Sequence, residues 1–291
     1  MIDSSSVGMA IARHGDGIGG EFAALASQVH PVFMLPPLAA SWFGAVLAPS
    51  LLPQVAFVHM LAMFFAVYTA HVKDGYVDFY LRSEDDDHPL TLAGCRLGLA
   101  LSTTGFTLCT GWLWLAVGPG AAIVTLPTWF IAYLHAPQLD TNPIGATLGY
   151  PLGIALAIVG GYYAQTTTIS APLLAFAAVF LVLLSGIKVI DDAKDYDYDR
   201  SIDKRTVAVV LGHKRARRSA HALIGLALVG VLAGAFLELF PPSTALAAIA
   251  FGVVALATRR FEPQRATELL MRGSYLFLAL LFLAVLVRPL S

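Results

Sequence analysis

The chain has 291 residues, of which 57% are hydrophobic and 13% charged, and its mean hydropathy is +0.73. Soluble domains carry roughly a quarter of charged residues, so this composition excludes an ordinary soluble enzyme. Eighteen Lys and Arg residues nearly balance nineteen Asp and Glu residues, which gives a net charge of −1. Because there is no basic excess, we expect no nucleic-acid partner.

Nine apolar stretches follow one another along the chain. A membrane-spanning helix needs about 20 mostly apolar residues, and the stretches are near that length. Several breaks carry proline, as at Gly118-Pro119 and Pro241-Pro242, because proline cannot continue a preceding helix. We therefore predict an all-α polytopic membrane protein with nine transmembrane helices, at 31–52, 54–71, 95–117, 119–136, 144–164, 170–190, 219–240, 243–258 and 270–288.

The cations lie on one side of this predicted topology. With nine alternating helices, all Lys and Arg residues except Arg288 fall in the N-terminal tail and in the segments around the loops after the even-numbered helices. The positive-inside rule assigns this side to the cytoplasm. We expect a multi-pass protein of the plasma membrane, with a cytoplasmic tail at 1–30 and a single transmembrane domain at 31–291.

Most acidic residues fall into two clusters, which follow the second and the sixth predicted helices. The first acidic cluster comprises Asp74, Asp78, Glu84, Asp85, Asp86 and Asp87, and the second acidic cluster comprises Asp191, Asp192, Asp195, Asp197, Asp199 and Asp203. Both open on the predicted cytoplasmic side. The four-residue steps from Asp74 to Asp78 and from Asp195 to Asp199 place each pair on one helix face.

This pattern predicts a site for magnesium and a polyphosphate between the two clusters. Carboxylates combine with substrate phosphate oxygens to bind Mg²⁺, and both clusters offer carboxylates on one helix face. Interleaved cations suit the charge of a departing phosphoryl group; the candidates are Lys73, Arg82, Lys188, Lys194, Arg200 and Lys204. Residues 84–87 are expected to be a solvated loop face, with a role in the metal site left open.

The two clusters resemble the acidic motifs of the UbiA superfamily of intramembrane prenyltransferases. The stretch 194–206, KDYDYDRSIDKRT, and the apolar residues after it resemble the second family motif. In the first cluster, Gly75 and Arg82 stand where that family has Asp. The segment from Tyr133 to Asp140 is similar to a family segment that ends in Lys, which is absent here. The resemblance covers nearly the whole chain and indicates a divergent member.

The resemblance implies a UbiA-like fold around a central cavity and a Mg²⁺-dependent prenyltransferase. The isoprenyl group would move from an isoprenyl diphosphate to a lipophilic acceptor, such as a quinone precursor, a membrane lipid or a carotenoid. The resemblance implies that the metal is bound by Asp74 and Asp78 of the first cluster and by Asp195 and Asp199 of the second. Asp191 or Asp192 is the candidate catalytic base. Aromatic faces can stabilise an allylic cation, and we expect this of Tyr68, Tyr76 and Tyr133 first, with Phe64, Phe65 and Tyr150 as further candidates. Histidines near the cytoplasmic helix ends, including His71 and His135, are weaker candidates.

Two alternatives stay open. A secondary transporter or cation channel would use the acidic clusters as a cytoplasmic ion site, and a UbiA-type cyclase would close the prenyl chain on itself. Transporters place their coupling carboxylates near the bilayer midplane, whereas the predicted helices have few acidic residues away from their ends. Mg²⁺-dependent release of pyrophosphate separates the enzyme from the transporter.

Overall fold

The computed structural model describes residues 10–201 and 204–288, which are almost entirely helical. Helix accounts for 81% of the structure, and within the described residues no strand forms beyond a single bridge between Ala12 and Leu90. The helices in chain order are α1 (Gly17–Ala26), α2 (Pro31–Val46), α3 (Pro53–Tyr76), α4 (Leu92–Ala116), α5 (Pro119–Leu134), α6 (Pro143–Thr166), α7 (Ala171–Asp192), α8 (Tyr196–Ser201), α9 (Val207–Leu211), α10 (His213–Phe236), α11 (Thr244–Thr258) and α12 (Pro263–Val287). Helices α3 and α5 continue into π-helical turns at Val77–Arg82 and His135–Leu139.

Each predicted apolar stretch overlaps one of these helices, but nine transmembrane helices are not confirmed. Six helices are long and apolar enough to cross a membrane: α3, α4, α6, α7, α10 and α12. Helices α2, α5 and α11 have 16, 16 and 15 residues, which at about 1.5 Å per residue fall short of a bilayer core of roughly 30 Å. Helices α1 and α2, bent by 62°, form one further candidate span together. The described part of the chain is thus a multi-pass membrane protein with six or seven candidate spans.

Proline and capping side chains set where the helices begin. Pro53 and Pro119 lie in the first turns of α3 and α5, where the missing N–H costs no hydrogen bond. At the start of α6, the Asn142 side chain accepts a hydrogen bond of 2.7 Å from the Gly145 N–H. Such caps satisfy backbone donors that the helix itself leaves free, so the breaks between apolar stretches are encoded locally.

Close helix contacts surround a central cavity. Helix α2 approaches α6 closely because Gly44 has no side chain; a Cβ there would overlap the carbonyl oxygen of Ile158. Small residues allow such approaches between membrane helices. Next to Gly44, Phe43 of α2 meets Phe176 of α7 edge-on, with ring centroids 5.4 Å apart. Between α2, α3, α5, α6, α7 and α12 the packing leaves a cavity of about 260 Å³.

The described part of the predicted N-terminal tail packs against the loop between α3 and α4. The Arg13 N–H donates to the Pro89 carbonyl at 2.9 Å, and the Thr91 N–H donates to the Ile11 carbonyl at 2.9 Å. His14 Nε2 lies 2.8 Å from an Asp87 carboxylate oxygen. These contacts hold the segment that follows the first acidic cluster.

Candidate active site

Both acidic clusters open onto the same cavity. Its polar end is formed by Asp74 from α3 and by Lys188 and Asp191 from α7. The rest of the wall is mostly apolar and includes Met63, Val67, Ile131, Ile154 and Leu184. A ligand that fits this space has a charged head and a hydrocarbon body.

Lysines hold the first two carboxylates of the second acidic cluster. Lys188 Nζ donates to Asp192 Oδ1 at 2.6 Å and to Asp191 Oδ2 at 3.4 Å. Lys194 Nζ donates to Asp191 Oδ1 at 2.8 Å. The other Asp192 oxygen, Oδ2, is buried and has no hydrogen-bond partner within residues 10–201 and 204–288. A buried acceptor without a partner is costly, so this oxygen is suited to accept a proton from a ligand.

Asp195 lies in the bend just before the short helix α8, and Asp199 lies on α8 itself. The Asp195 carboxylate is exposed and lies 3.8 Å from Lys194 Nζ, whereas Asp199 is buried and has no ion-pair partner among the described residues. Burial raises the pKa of Asp199 to about 6, against the opposing charge of Lys204. A buried carboxylate of this kind gains stabilisation when a cation binds. Arg200 is exposed, Lys204 is partly buried, and Asp203 lies outside the described residues.

In the first acidic cluster, an arginine of the chain itself lies between the carboxylates. Arg82 donates to both oxygens of Asp140, at 2.6 and 3.0 Å, and to Asp78 Oδ1 at 3.2 Å. The Asp140 side chain is only 9% exposed. The two π-helical turns position this pair, because Arg82 ends one turn and Asp140 follows the other. Asp140 was not among the predicted site residues, although its place at the end of the segment 133–140 is a signal that could have pointed to it.

The histidine after the first acidic cluster leaves little room for a side chain at Gly75. A Cβ on residue 75 would come within 2.5 Å of His88 Cε1. His88 is buried and stacks on Phe79 with ring centroids 5.8 Å apart. Asp74, the neighbour of Gly75, has no ion-pair partner in the described part of the chain and lines the cavity. Of the remaining acidic residues here, Asp85, Asp86 and Asp87 are exposed and Glu84 is partly buried, 3.7 Å from Arg82.

Of the proposed aromatic residues, Tyr150 lines the cavity, whereas the others do not: Tyr68, Tyr76, Tyr133, Phe64 and Phe65. Tyr68 donates its hydroxyl to the Leu25 carbonyl, and Tyr76 packs on Tyr80. Lys73 Nζ lies 4.0 Å above the ring of Tyr133, so this predicted diphosphate ligand is engaged with an aromatic residue. The described aromatic residues that do line the cavity are Phe33, His71, His135, Tyr150 and Tyr275. Tyr275 was missed because nothing distinguishes it from other aromatic residues in an apolar helix.

The carboxylates around the cavity suit a magnesium ion that is bound together with its substrate. No group of three or more His, Cys, Asp or Glu side chains close enough to hold a metal ion occurs among the described residues. Mg²⁺ sites for phosphate substrates, however, use one or two carboxylates and complete the shell with waters and phosphate oxygens. Asp74 and Asp199, which have no ion-pair partner among the described residues, supply such oxygens, one from each acidic cluster. The residues present therefore fit this metal.

Residues 33–281 match the family model of the UbiA prenyltransferase family. The chain belongs to that family. The family indicated by the acidic motifs is thus confirmed. No curated protein matches in sequence.

Solved structures of UbiA proteins share the fold. The apo structure of a UbiA homologue from Aeropyrum pernix superposes with a TM-score of 0.73 at 14% identity, covering 89% of this chain and 98% of that one. A digeranylgeranylglyceryl phosphate synthase has a TM-score of 0.69 at 14% identity, covering 92% and 97%. A UbiA homologue from Archaeoglobus fulgidus bound to GPP and Mg²⁺ has a TM-score of 0.67 at 15% identity, covering 91% and 99%.

Proposed function

We propose that this UbiA protein is a Mg²⁺-dependent intramembrane prenyltransferase, which moves an isoprenyl group from an allylic diphosphate to a lipophilic acceptor. One observation carries the proposal: the apolar cavity ends in charged side chains from both acidic clusters, Asp74 on one side and Lys188 with Asp191 on the other. An amphiphile with a diphosphate head and a hydrocarbon chain matches a cavity that is charged at one end and apolar elsewhere. The A. fulgidus relative binds GPP and Mg²⁺, which supports the same ligand class.

In the proposed complex, the diphosphate lies at the polar end and the isoprenyl chain lies among the apolar residues of the wall. The C1–O bond breaks and its electron pair leaves with the diphosphate. Lys188 lines this end of the cavity and Lys204 lies near the second acidic cluster, so both lysines offset the charge that develops on the leaving group. Asp74, Asp78, Asp195 and Asp199 would hold a divalent cation, which would supply further charge neutralisation.

The allylic cation must then be shielded from water, and it must react with the acceptor, which is the nucleophile. The apolar wall excludes water. The rings of Tyr150 and Tyr275 line the cavity, and their aromatic faces can stabilise the cation. The acceptor forms the new bond to C1 and loses a proton. We assign that proton to Asp191 or Asp192, because Asp191 lines the cavity and Asp192 Oδ2 has a free acceptor site within the described residues.

We further propose the finer topology that the sequence predicts, with nine transmembrane helices and the cavity mouth on the cytoplasmic side of the plasma membrane. Basic residues support this orientation, because Lys188, Lys194 and Lys204 accompany the second acidic cluster and a further basic group opens α10. Labelling of single cysteines introduced at Asp197 and at Glu238 in intact cells would test it. Glu238 lies beyond the other end of α10, so the two labels should report opposite sides.

The experiment that tests the activity is release of pyrophosphate by the full-length protein in lipid nanodiscs. Allylic diphosphates of increasing chain length are offered with mixed quinone precursors, lipids and carotenoids, and products are identified by mass spectrometry. We expect release with Mg²⁺, loss on chelation with EDTA, and loss in the variant Asp195→Asn. Asp197→Asn is the matched control, because Asp197 is exposed like Asp195 and belongs to the same acidic cluster.

Each outcome distinguishes the alternatives. Release with a prenylated acceptor supports the transferase, and release with a cyclised prenyl product and no acceptor identifies a cyclase. Ion or substrate flux across the membrane without pyrophosphate release identifies a transporter or channel. If the protein binds the diphosphate but shows no turnover under any condition, it is a prenyl diphosphate-binding protein and the proposed activity is wrong.

A further inference from the structure

A second pocket lies outside the proposed active site, at the start of α10 and the end of α11. It has a volume of about 200 Å³ and is lined by Lys214, Arg217, Arg218, His221 and Arg259. All five side chains are basic. None of them forms an ion pair with an acidic side chain in the part of the chain that the structure describes. Such a concentration of positive charge around one pocket is electrostatically unfavourable without an anion.

The pocket is built from two helices in fixed positions. Arg217 donates to the carbonyl oxygen of Thr258, the last residue of α11, at 2.9 Å. His221 Nδ1 donates to the Arg217 carbonyl oxygen at 2.9 Å. With Nδ1 engaged, His221 Nε2 is buried and has no hydrogen-bond partner among the described residues. Because Nδ1 is the donor, Nε2 is an acceptor, and a buried acceptor without a partner points to an unseen hydrogen-bond donor such as a water or a ligand hydroxyl.

The surroundings of the pocket indicate a lipid. Leu226 and Val229 are exposed two to three turns along α10 from Arg218, and at 3.6 residues per turn Val229 lies on the same helical face as Arg218. On α11, Val253 and Leu256 are exposed one to two turns before Arg259. Basic side chains at the end of a membrane helix with an uncovered apolar strip beside them match a phospholipid, with its phosphate in the pocket and its acyl chains along the strip.

We propose that this pocket binds the phosphate group of an anionic membrane lipid. The site is independent of the prenyl diphosphate cavity, because its lining residues come from α10 and α11 and the segment just after α11, whereas the cavity is lined by α2, α3, α5, α6, α7 and α12. Its ligand class is a phospholipid of net negative charge, such as one with a phosphatidylglycerol head. A free phosphate shares the chemistry of the head but makes no use of the apolar strip.

Native mass spectrometry of the intact protein in detergent tests the proposal. Dioleoyl-phosphatidylglycerol and dioleoyl-phosphatidylcholine have the same acyl chains and differ in net charge, so titrating both isolates the contribution of charge. The pocket variant Lys214→Gln/Arg218→Gln/Arg259→Gln removes three exposed cations. The control variant Arg96→Gln/Arg215→Gln/Arg272→Gln removes three exposed cations that do not line the pocket. Thermal unfolding of both variants verifies that they are folded.

We expect wild type to retain phosphatidylglycerol in preference to phosphatidylcholine. Each basic residue near an anionic lipid contributes about fivefold in binding, so the pocket variant should weaken retention by about 100-fold and the control variant by much less. Equal loss in both variants, or equal retention of the two lipids, would overturn the proposal. Full displacement of the lipid by excess inorganic phosphate would identify a site for free phosphate and overturn it as well.

Discussion

The two acidic clusters differ in how their charge is balanced. In the first, the chain supplies its own cation: Arg82 contacts Asp78 and is held by both oxygens of Asp140. In the second, lysines hold Asp191 and Asp192, while the buried Asp199 has no ion-pair partner among the described residues. The comparison shows that two stretches of similar composition pair their charges in different ways, and that each still leaves one cavity-lining or buried carboxylate without an ion-pair partner among the described residues. Within the first cluster, Asp74 lines the cavity and has no ion-pair partner among the described residues.

The largest expected effect is at the unpaired carboxylates. Asp74→Asn and Asp199→Asn each remove one charge that the chain does not balance, so we expect kcat for pyrophosphate release to fall by about 100-fold or more, as when one preorganised electrostatic group is removed. Asp85→Asn and Asp197→Asn, at exposed positions of the same two clusters, should stay near wild type. Equal losses in the controls would mean that total charge matters and that the comparison between paired and unpaired carboxylates is wrong.

A charge reversal tests the pair in the first acidic cluster. Arg82→Asp and Asp140→Arg each leave a mostly buried charge without its partner, which costs about 3 kcal/mol of stability. The double variant restores an ion pair across the two π-helical turns and should recover most of the melting temperature lost by the singles. Activity provides a second measurement. If the two single effects simply add in the double variant, Arg82 and Asp140 do not act as a pair.

A smaller effect is expected where His88 packs against the first acidic cluster. Gly75→Ala adds a Cβ that meets the His88 ring, and overpacking of this kind costs about 1–3 kcal/mol. The melting temperature should therefore fall. His88→Ala removes the obstacle, so the double variant Gly75→Ala/His88→Ala should be no less stable than His88→Ala alone. An unchanged melting temperature in Gly75→Ala would show that His88 moves aside freely.

The smallest effect is expected in the exposed run after the first acidic cluster. Asp86→Asn should change stability by less than about 0.5 kcal/mol, as exposed substitutions usually do, and should leave pyrophosphate release within about twofold of wild type. Release measured across a Mg²⁺ titration is the appropriate assay. A raised Mg²⁺ requirement in Asp86→Asn would place the run 84–87 in the metal site and make the two clusters more alike than their ion pairs indicate.

Local patterns were enough to predict the helices and the two clusters. Every predicted apolar stretch overlaps a helix, because hydropathy and helix-breaking prolines act over a few neighbouring residues. Local patterns do not decide whether α2, α5 and α11 cross the membrane, because these helices have at most 16 residues. Whether a short helix crosses a bilayer depends on its tilt and its neighbours.

The sequence by itself determined that the chain is a helical membrane protein with two acidic clusters at helix ends, because composition and short-range spacing carry that information. Only the tertiary structure decided which charges meet: Arg82 and Asp140 are 58 residues apart in sequence, and Tyr275 reaches the same cavity as Asp74. Electrostatic and packing energies depend on distances in space. Those distances follow from how the helices pack, which no local pattern specifies.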